Sequence, residues 1–189
     1  MDTRLKRTLL DITAKLRTRK QLFAVVGGVA TTILGYLRVT QDVDLIVDSD
    51  VPSAMRLLSE LIEDGYRQPF DDVEHIIRVS RILPLENVET GIKVDLAIGE
   101  SGFEKLIVAR SIPQKIGKVT LNVATPEDII LMKLMASRDK DLGDIDGLIA
   151  VHGRELDWDY CFATARQLDE ALSTDLAETL KRIRTAKST

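Results

Sequence analysis

The stretch from Phe23 to Asp48, FAVVGGVATTILGYLRVTQDVDLIVD, constrains the fold of this chain most strongly. Its pattern predicts a buried strand, a tight Gly27–Gly28 turn, a helix, a short connection and a second strand that carries Asp42 and Asp44. Side chains alternate between the two faces of a strand, so Asp42 and Asp44 point the same way. Two adjacent carboxylates repel each other, and a divalent cation with hard oxygen ligands, Mg²⁺ above all, is the simplest group to lie between them.

The glycine pair adds a second chemical feature to the same stretch. The N–H groups at the start of a helix have no partner within the helix and attract anions, and glycine allows a phosphate to approach them closely. Gly27 and Gly28 therefore predict a phosphate site, which one short helix joins to the predicted metal site. A phosphate site and a metal-binding aspartate pair together indicate a site for a nucleoside triphosphate.

These residues belong to a longer string, which reads Gly27-Gly28, nine residues, and then Arg38-Val-Thr40-Gln-Asp42-Val-Asp44. The string resembles the signature of the nucleotidyltransferase superfamily of the DNA polymerase β type. More narrowly, it is similar to the AbiEii/MenT-like toxin nucleotidyltransferases, in which G-[GS] … R-x-[ST]-x-D-x-D recurs. The resemblance implies that the two aspartates are catalytic metal ligands and that the other four residues contact the nucleotide. The alternative is an α/β domain with a Gly-Gly helix start and a solvated acidic strand end.

A third carboxylate is predicted on another strand. The segment Gly91–Ile98 alternates apolar residues on one face with Lys93, Asp95 and Ala97 on the other. In the superfamily that the string resembles, a neighbouring strand supplies a third catalytic carboxylate. The pattern hydrophobic-Asp-Leu makes Asp95 the candidate for this role and for metal binding.

A second block follows the helix start Thr125-Pro-Glu-Asp128. The helix predicted there is almost wholly apolar except for Lys133, whose ammonium must reach solvent, a carboxylate or a phosphate. From this lysine, the spacing K-x4-R-x2-D-x2-D through Arg138, Asp141 and Asp144 resembles the second block of AbiEii-like proteins. The resemblance implies that Lys133 contacts the nucleotide phosphates and that the other three complete the site, with either aspartate facing it. The alternative is a helix-loop-helix joined by surface salt bridges, each of which contributes little.

The chain as a whole predicts an α/β (α+β) fold: a mixed β-sheet of the nucleotidyltransferase type, flanked by helices, with a short helical C-terminal segment. We expect a nucleotidyltransferase core with an N-terminal helix over residues 1–124 and a helical segment that completes the site over residues 125–189. His75–Ile82 is rich in β-branched residues and predicts a strand, whereas Pro84–Thr90 predicts a turn. Residues 101–110 predict a helix with Ser101 as its cap.

The composition narrows the class of protein. Of the 189 residues, 44% are hydrophobic, so the chain can bury a core. The net charge is −4, so the overall charge gives no reason to expect a nucleic-acid partner. Cys161 is the only cysteine, which excludes an internal disulfide, and with only two histidines a zinc site is not expected. The N-terminus lacks the apolar run of a signal peptide, and no stretch approaches the ~18–20 apolar residues of a membrane span. We therefore expect a cytoplasmic protein without a membrane partner.

The resemblance implies a Mg²⁺-dependent nucleotidyltransferase, with Mn²⁺ as an alternative cofactor, that moves an NMP from an NTP to an acceptor hydroxyl. An RNA end, such as a tRNA 3′ end, is the leading acceptor. If the protein is the toxin of a toxin–antitoxin pair, a cognate antitoxin is its partner. The toxin relatives are often longer, with a larger helical C-terminal half, and this difference leaves the acceptor open. The alternatives are transfer to a protein or small-molecule hydroxyl, and a non-catalytic nucleotide-binding or interaction module.

Overall fold

A computed structural model describes residues 1–100 and 102–187, with the backbone alone at residues 139, 140 and 187. The cap predicted at Ser101 lies outside these residues. The strands within them are β1 (Phe23–Val26), β2 (Asp42–Val47), β3 (Tyr66–Arg67), β4 (Ile82–Asn87), β5 (Lys93–Ile98), β6 (Ile112–Ile116) and β7 (Val119–Val123). The helices within them are α1 (Thr3–Thr18), α2 (Gly27–Ile33), α3 (Val51–Glu63), α4 (Val73–Ser80), α5 (Gly102–Arg110), α6 (Pro126–Ala136), α7 (Asp139–His152), α8 (Trp158–Leu172) and α9 (Leu176–Lys187).

The seven described strands form one mixed sheet in the order β3-β4-β5-β2-β1-β7-β6. Strand β2 lies at its centre, parallel to β5 on one side and antiparallel to β1 on the other. Strand β1 is buried along its whole length, as the short apolar run before the glycine pair predicts. The mixed α/β sheet flanked by helices that the sequence predicts is confirmed.

The chain divides into two compact units. The first contains Met1–Ile33 and Leu37–Thr125 and holds the sheet with helices α1 to α5. The second contains Leu34–Tyr36 and Pro126–Thr189, and its described residues form helices α6 to α9.

Helix α1 shows how the first unit builds its core. Asp2 caps the helix because its carboxylate accepts hydrogen bonds from the backbone N–H groups of Arg4 and Leu5. The apolar residues spaced three and four apart fall on one side of the helix, and all of them are buried: Leu5, Leu9, Ile12 and Leu16. The basic residues between them lie mainly on the solvent side.

Two local predictions between residues 72 and 90 are wrong. The predicted strand at His75–Ile82 is helix α4, which begins where Asp72 accepts a hydrogen bond from the backbone N–H of His75 and buries its apolar side at Val73 and Ile77. The predicted turn at Pro84–Thr90 is largely strand β4. A proline is tolerated there because β3 pairs only with the end of β4, so at Pro84 the strand has a partner on one side alone.

The second unit is a group of helices whose mainly apolar core also contains buried polar side chains. Tyr36 packs its ring against Gly147, where any Cβ would overlap the ring. Asp128 is fully buried and accepts a hydrogen bond from the hydroxyl of Tyr160 at 2.5 Å. These contacts fix α7 and α8 within the unit. Across residues 1–100 and 102–187, none of the helices has both the length and the apolar character needed to cross a membrane.

Candidate active site

The sheet brings the three predicted carboxylates to one face. Asp42 and Asp44 lie two residues apart on β2, and Asp44 is the register partner of Asp95 on β5. Partnered residues of parallel strands share a face, so all three side chains stand on the same side of the sheet. The intervening residues Val43 and Val94 are fully buried on the other side. The alternation that the sequence shows therefore separates a core face from a polar face.

The glycine pair lets the chain turn closely over Asp44. Gly27 has a φ of +65°, a conformation that glycine adopts without strain, and a Cβ at this position would overlap the Asp44 carboxylate. The backbone N–H of Gly28 donates a hydrogen bond to Asp44. The contacts with Asp44 therefore explain the close turn at these two glycines, even without a bound phosphate.

The connection between α2 and β2 is attached to the same turn. The hydroxyl of Thr40 donates a hydrogen bond to Oδ1 of Asp42 at 2.6 Å. The hydroxyl of Thr32 lies 3.0 Å from the carbonyl oxygen of Gly28 and 3.3 Å from that of Arg38. Residues 38–40, which we call the connecting segment, are therefore linked to the first turn of α2 at one end and to a candidate metal ligand at the other.

The electrostatics of this face favour a bound cation. Burial and, after it, the charges of Asp42 and Asp95 raise the pKa of Asp44 to about 6, against the smaller opposing effects of the Gly28 N–H and Arg38. Burial and the charge of Asp42 also raise the pKa of Asp95, against the smaller opposing effect of Lys93. Carboxylates whose ionised form is disfavoured by burial and by one another are stabilised when a cation joins them.

The donor set fits a hard divalent ion, because it consists of carboxylate oxygens on adjacent positions of a rigid sheet. Within residues 1–100 and 102–187, no three histidine, cysteine, aspartate or glutamate side chains converge closely enough to form a ready-made metal site. The charges of Asp42 and Asp95 disfavour the ionised form of Asp44, and the charge of Asp42 disfavours that of Asp95. A divalent ion bound by these carboxylates would turn this repulsion into attraction.

The second predicted block forms a buried ionic cluster in the helical unit. The ammonium of Lys133 is only 5% exposed; it lies 3.4 Å from Oδ1 of Asp141 and forms a second ion pair with Asp144. Arg138 donates to the other oxygen of Asp141 at 2.6 Å. Burial alone would raise the pKa of Asp141, but Arg138 and Lys133 outweigh it and hold this pKa below its usual value. Both aspartates therefore face the lysine, and the part of these four residues in nucleotide binding stays a prediction.

Sequence reasoning missed the role of Thr32. A threonine four residues after Gly28 in a helix can return its hydroxyl to that carbonyl, so half of its contact follows from a local rule. Its contact with the carbonyl of Arg38 depends on where the connecting segment returns, and no local pattern predicts that path.

Solved structures with this fold extend over most of the chain. The antibiotic-resistance factor ANT(2'')-Ia, known from its solution structure, is similar over 92% of this chain and 97% of its own, with a TM-score of 0.65 and 18% identity. An antigenic nucleotidyltransferase-like protein from Paracoccidioides brasiliensis is similar over 92% of both chains, with a TM-score of 0.56 and 18% identity. The lincosamide antibiotic adenylyltransferase LnuA, solved with lincomycin bound, is similar over 77% of this chain and 96% of its own, with a TM-score of 0.56 and 15% identity. These similarities establish the nucleotidyltransferase fold.

At the level of sequence, no curated protein matches this chain. Residues 4–181, which include all of the predicted site residues, match the family described as "Nucleotidyltransferase of unknown function (DUF6036)". The match covers nearly the whole chain and agrees with the superfamily that the Gly-Gly and Asp-x-Asp string predicts. The protein is therefore a member of the DUF6036 family of nucleotidyltransferases.

Proposed function

We propose that this protein uses Mg²⁺, or Mn²⁺ in its place, to transfer an NMP from an NTP to an acceptor hydroxyl. The observation that carries the proposal is the set of three carboxylates on one face of the sheet, where the pKa of Asp44 is raised to about 6 beside the Gly27–Gly28 turn. A structural ion pair would not leave carboxylates to repel one another, whereas a cation-binding site does so when the cation is absent.

Each carboxylate has a distinct part in this proposal. Asp42 and Asp44 would hold the divalent cations, and bound cations would polarise the phosphoryl oxygens and stabilise the charge of the leaving pyrophosphate. Asp95 would help to hold a cation and would accept the proton of the acceptor hydroxyl.

The nucleotide contacts are proposed from the motif and from local geometry. The guanidinium of Arg38 acts on Asp44 by its charge, so it lies where it could also meet a phosphate. The backbone of Gly27 and Gly28 remains our proposed phosphate contact, together with Thr40. For the helical unit, we propose that the cluster around Lys133 contributes to nucleotide binding, as the resemblance of its spacing to AbiEii-like proteins implies.

For the acceptor we propose RNA, with a toxin role and a cognate antitoxin as the corresponding partner. The support is the R-x-[ST]-x-D-x-D string and the later K-x4-R-x2-D-x2-D block, both of which resemble AbiEii/MenT-like toxins. An intracellular RNA acceptor would place the protein in the cytoplasm.

A second acceptor class has its own support. Two of the structures with the same fold are named as an antibiotic-resistance factor and an antibiotic adenylyltransferase, and each is matched over nearly all of its own length. Our second candidate is therefore transfer of a nucleotide to the hydroxyl of a small molecule.

Both candidates can be tested in one experiment. The purified protein is incubated with each α-³²P-labelled NTP, Mg²⁺, and either total RNA, total protein or a panel of hydroxylated small molecules including aminoglycosides and lincosamides. Label in RNA supports the first candidate, and label in a small molecule supports the second. The matched control is Asp44→Asn, which removes one charge with little change of shape. Label that is transferred equally well by this variant, or by none of the proteins, would contradict the proposed function.

A further inference from the structure

Exposure alternates along the connecting segment and the residue before it. Leu37 and Val39 are 83% and 89% exposed, whereas Arg38 and Thr40 are half-buried. The two half-buried residues are the ones that act on the carboxylate face. Arg38 acts at a distance through its charge, and Thr40 acts through direct contact.

The contact of Thr40 has a defined direction and strength. Its hydroxyl donates the hydrogen bond, and the carboxylate oxygen of Asp42 accepts it. At 2.6 Å the bond has the length of a charge-assisted hydrogen bond, which is about twice as strong as a neutral one. It engages Oδ1 of Asp42, so it fixes the rotation of the carboxylate and with it the direction of the second oxygen.

Gly28 is shaped to admit this threonine. A Cβ built at Gly28 would lie 2.7 Å from Oγ1 and 2.8 Å from Cβ of Thr40, both closer than real side chains approach. Thr32 then joins the two parts, because its hydroxyl lies between the carbonyl oxygens of Gly28 and Arg38. The lack of a side chain at Gly28 thus leaves room for Thr40, and the hydroxyl of Thr40 holds Oδ1 of Asp42.

We propose that Thr40 is a positioning residue for the metal site: its hydroxyl holds Asp42 so that Oδ2 is presented to a divalent cation, and Gly28 lacks a side chain so that Thr40 can reach this position. The inference rests on the proposed function, because it requires that Asp42 binds a cation. It assigns to Thr40 a role through Asp42, beside the nucleotide contact predicted for it from the sequence. Groups that orient a metal ligand typically change metal affinity by about 10–100-fold when they are removed.

The test measures metal binding without nucleotide or acceptor. Free Mn²⁺ is counted by electron paramagnetic resonance during titration of the full chain, as wild type, Thr40→Val and Thr40→Ser. Valine keeps the shape of threonine without its hydroxyl, and serine keeps the hydroxyl. We expect Thr40→Val to weaken Mn²⁺ binding about 10–100-fold and Thr40→Ser to stay within a few-fold of wild type. Thermal unfolding in EDTA shows that each variant is folded, and Thr40→Ala replaces Thr40→Val if that variant is not.

Gly28→Ala provides an independent route to the same contact. The added methyl group should push Thr40 away from Asp42 and weaken Mn²⁺ binding to a similar degree. Because both changes break one hydrogen bond, the double variant Gly28→Ala/Thr40→Val should bind Mn²⁺ no more weakly than the weaker single variant, within a factor of two or so. Fully additive losses would overturn the link between Gly28 and Thr40.

The remaining outcomes separate the inference from the proposed function. If wild type and Thr40→Val bind Mn²⁺ equally while Asp44→Asn does not bind, the metal site stands and the positioning role is overturned. If Thr40→Ser is as weak as Thr40→Val, the hydroxyl is not the group that matters, and the role is again overturned. If folded wild type binds Mn²⁺ no better than Asp44→Asn, both the inference and the proposed metal-dependent function are wrong.

Discussion

Two groups of carboxylates, one in each unit, differ in how their charge is balanced. On the sheet, Asp44 faces other aspartates, and its pKa is raised to about 6 by burial and by their charge. In the helical unit, Asp141 is only 1% exposed and so more buried than the half-buried Asp44, yet its pKa is lowered because Arg138 and Lys133 outweigh the effect of burial. The same side chain thus has opposite electrostatics in the two units, and the difference lies in its partners.

This contrast distinguishes a candidate cation site from a cluster whose charges are already balanced. On the sheet, Arg38 and Lys93 offset the repulsion in part, so an added cation is favourable. In the helical unit the protein supplies the cation itself, as Lys133. Removing a charge should therefore stabilise the group on the sheet and destabilise the group in the helical unit.

The largest effect is expected on activity. Asp44→Asn should lower nucleotidyl transfer by about 10³-fold or more, because the lost ligand supports several kcal/mol of transition-state stabilisation by the metal. Its thermal stability at pH 8 without metal should be higher than that of wild type, since a repulsive carboxylate is removed. Single-turnover transfer and differential scanning calorimetry measure the two quantities. An unfolded Asp44→Asn protein would mean that this aspartate is structural.

The second effect should fall on stability. Lys133→Met keeps a long side chain but leaves Asp141 and Asp144 buried with less positive charge, which should lower the free energy of unfolding by about 3–5 kcal/mol. Urea denaturation measures the loss. Lys105→Met, at an exposed lysine of another helix, is the control and should change little. If Lys133→Met is as stable as wild type but binds NTP weakly, the lysine serves the nucleotide rather than the cluster.

The sequence predicted the features that local patterns and a short motif determine. Period-two alternation predicts that Asp42 and Asp44 share a face of β2, and the superfamily resemblance predicts Asp95 on a neighbouring strand. The structure has all three on one face because Asp44 and Asp95 are register partners. The mixed sheet and the helices beside it also agree with the prediction. The apolar stripe of α1 is another case in which local spacing was sufficient.

The sequence did not predict the features that depend on tertiary contacts. The β-branched residues between His75 and Ile82 favour a strand, but Asp72 caps a helix there and Ile77 is fully buried on its apolar side. The partners of Lys133 could not be chosen from sequence, because solvent, a carboxylate and a phosphate all satisfy an ammonium equally well. Likewise the hydrogen bond from Thr40 to Asp42 depends on the return path of the connecting segment, which no pattern encodes.

A pH effect of intermediate size should sharpen the contrast. The pKa of Asp44 is raised from its ordinary 3.8 to about 6 in the folded protein. The folded protein therefore keeps its full stability below pH 3.8 and loses part of it as the pH rises through about 6, when Asp44 ionises. In EDTA, Asp44→Asn should therefore be more stable than wild type by on the order of 2 kcal/mol above pH 7, a gain limited by partial solvent access. The gain should vanish below about pH 4. Urea titrations at several pH values test this, and a gain independent of pH would exclude relief of ionisation as its cause.

The smallest effect is expected at Arg138, whose side chain is 58% exposed although it bonds to buried Asp141. Arg138→Ala should lower the free energy of unfolding by no more than about 1 kcal/mol, because solvent screens the guanidinium and Lys133 still pairs with Asp141. Arg78→Ala, at an exposed ion pair with Glu74, is the matched control. If Arg138 also contacts a nucleotide, its variant should raise the KM for NTP while Arg78→Ala does not. A large loss of stability with an unchanged KM would instead assign Arg138 wholly to the cluster.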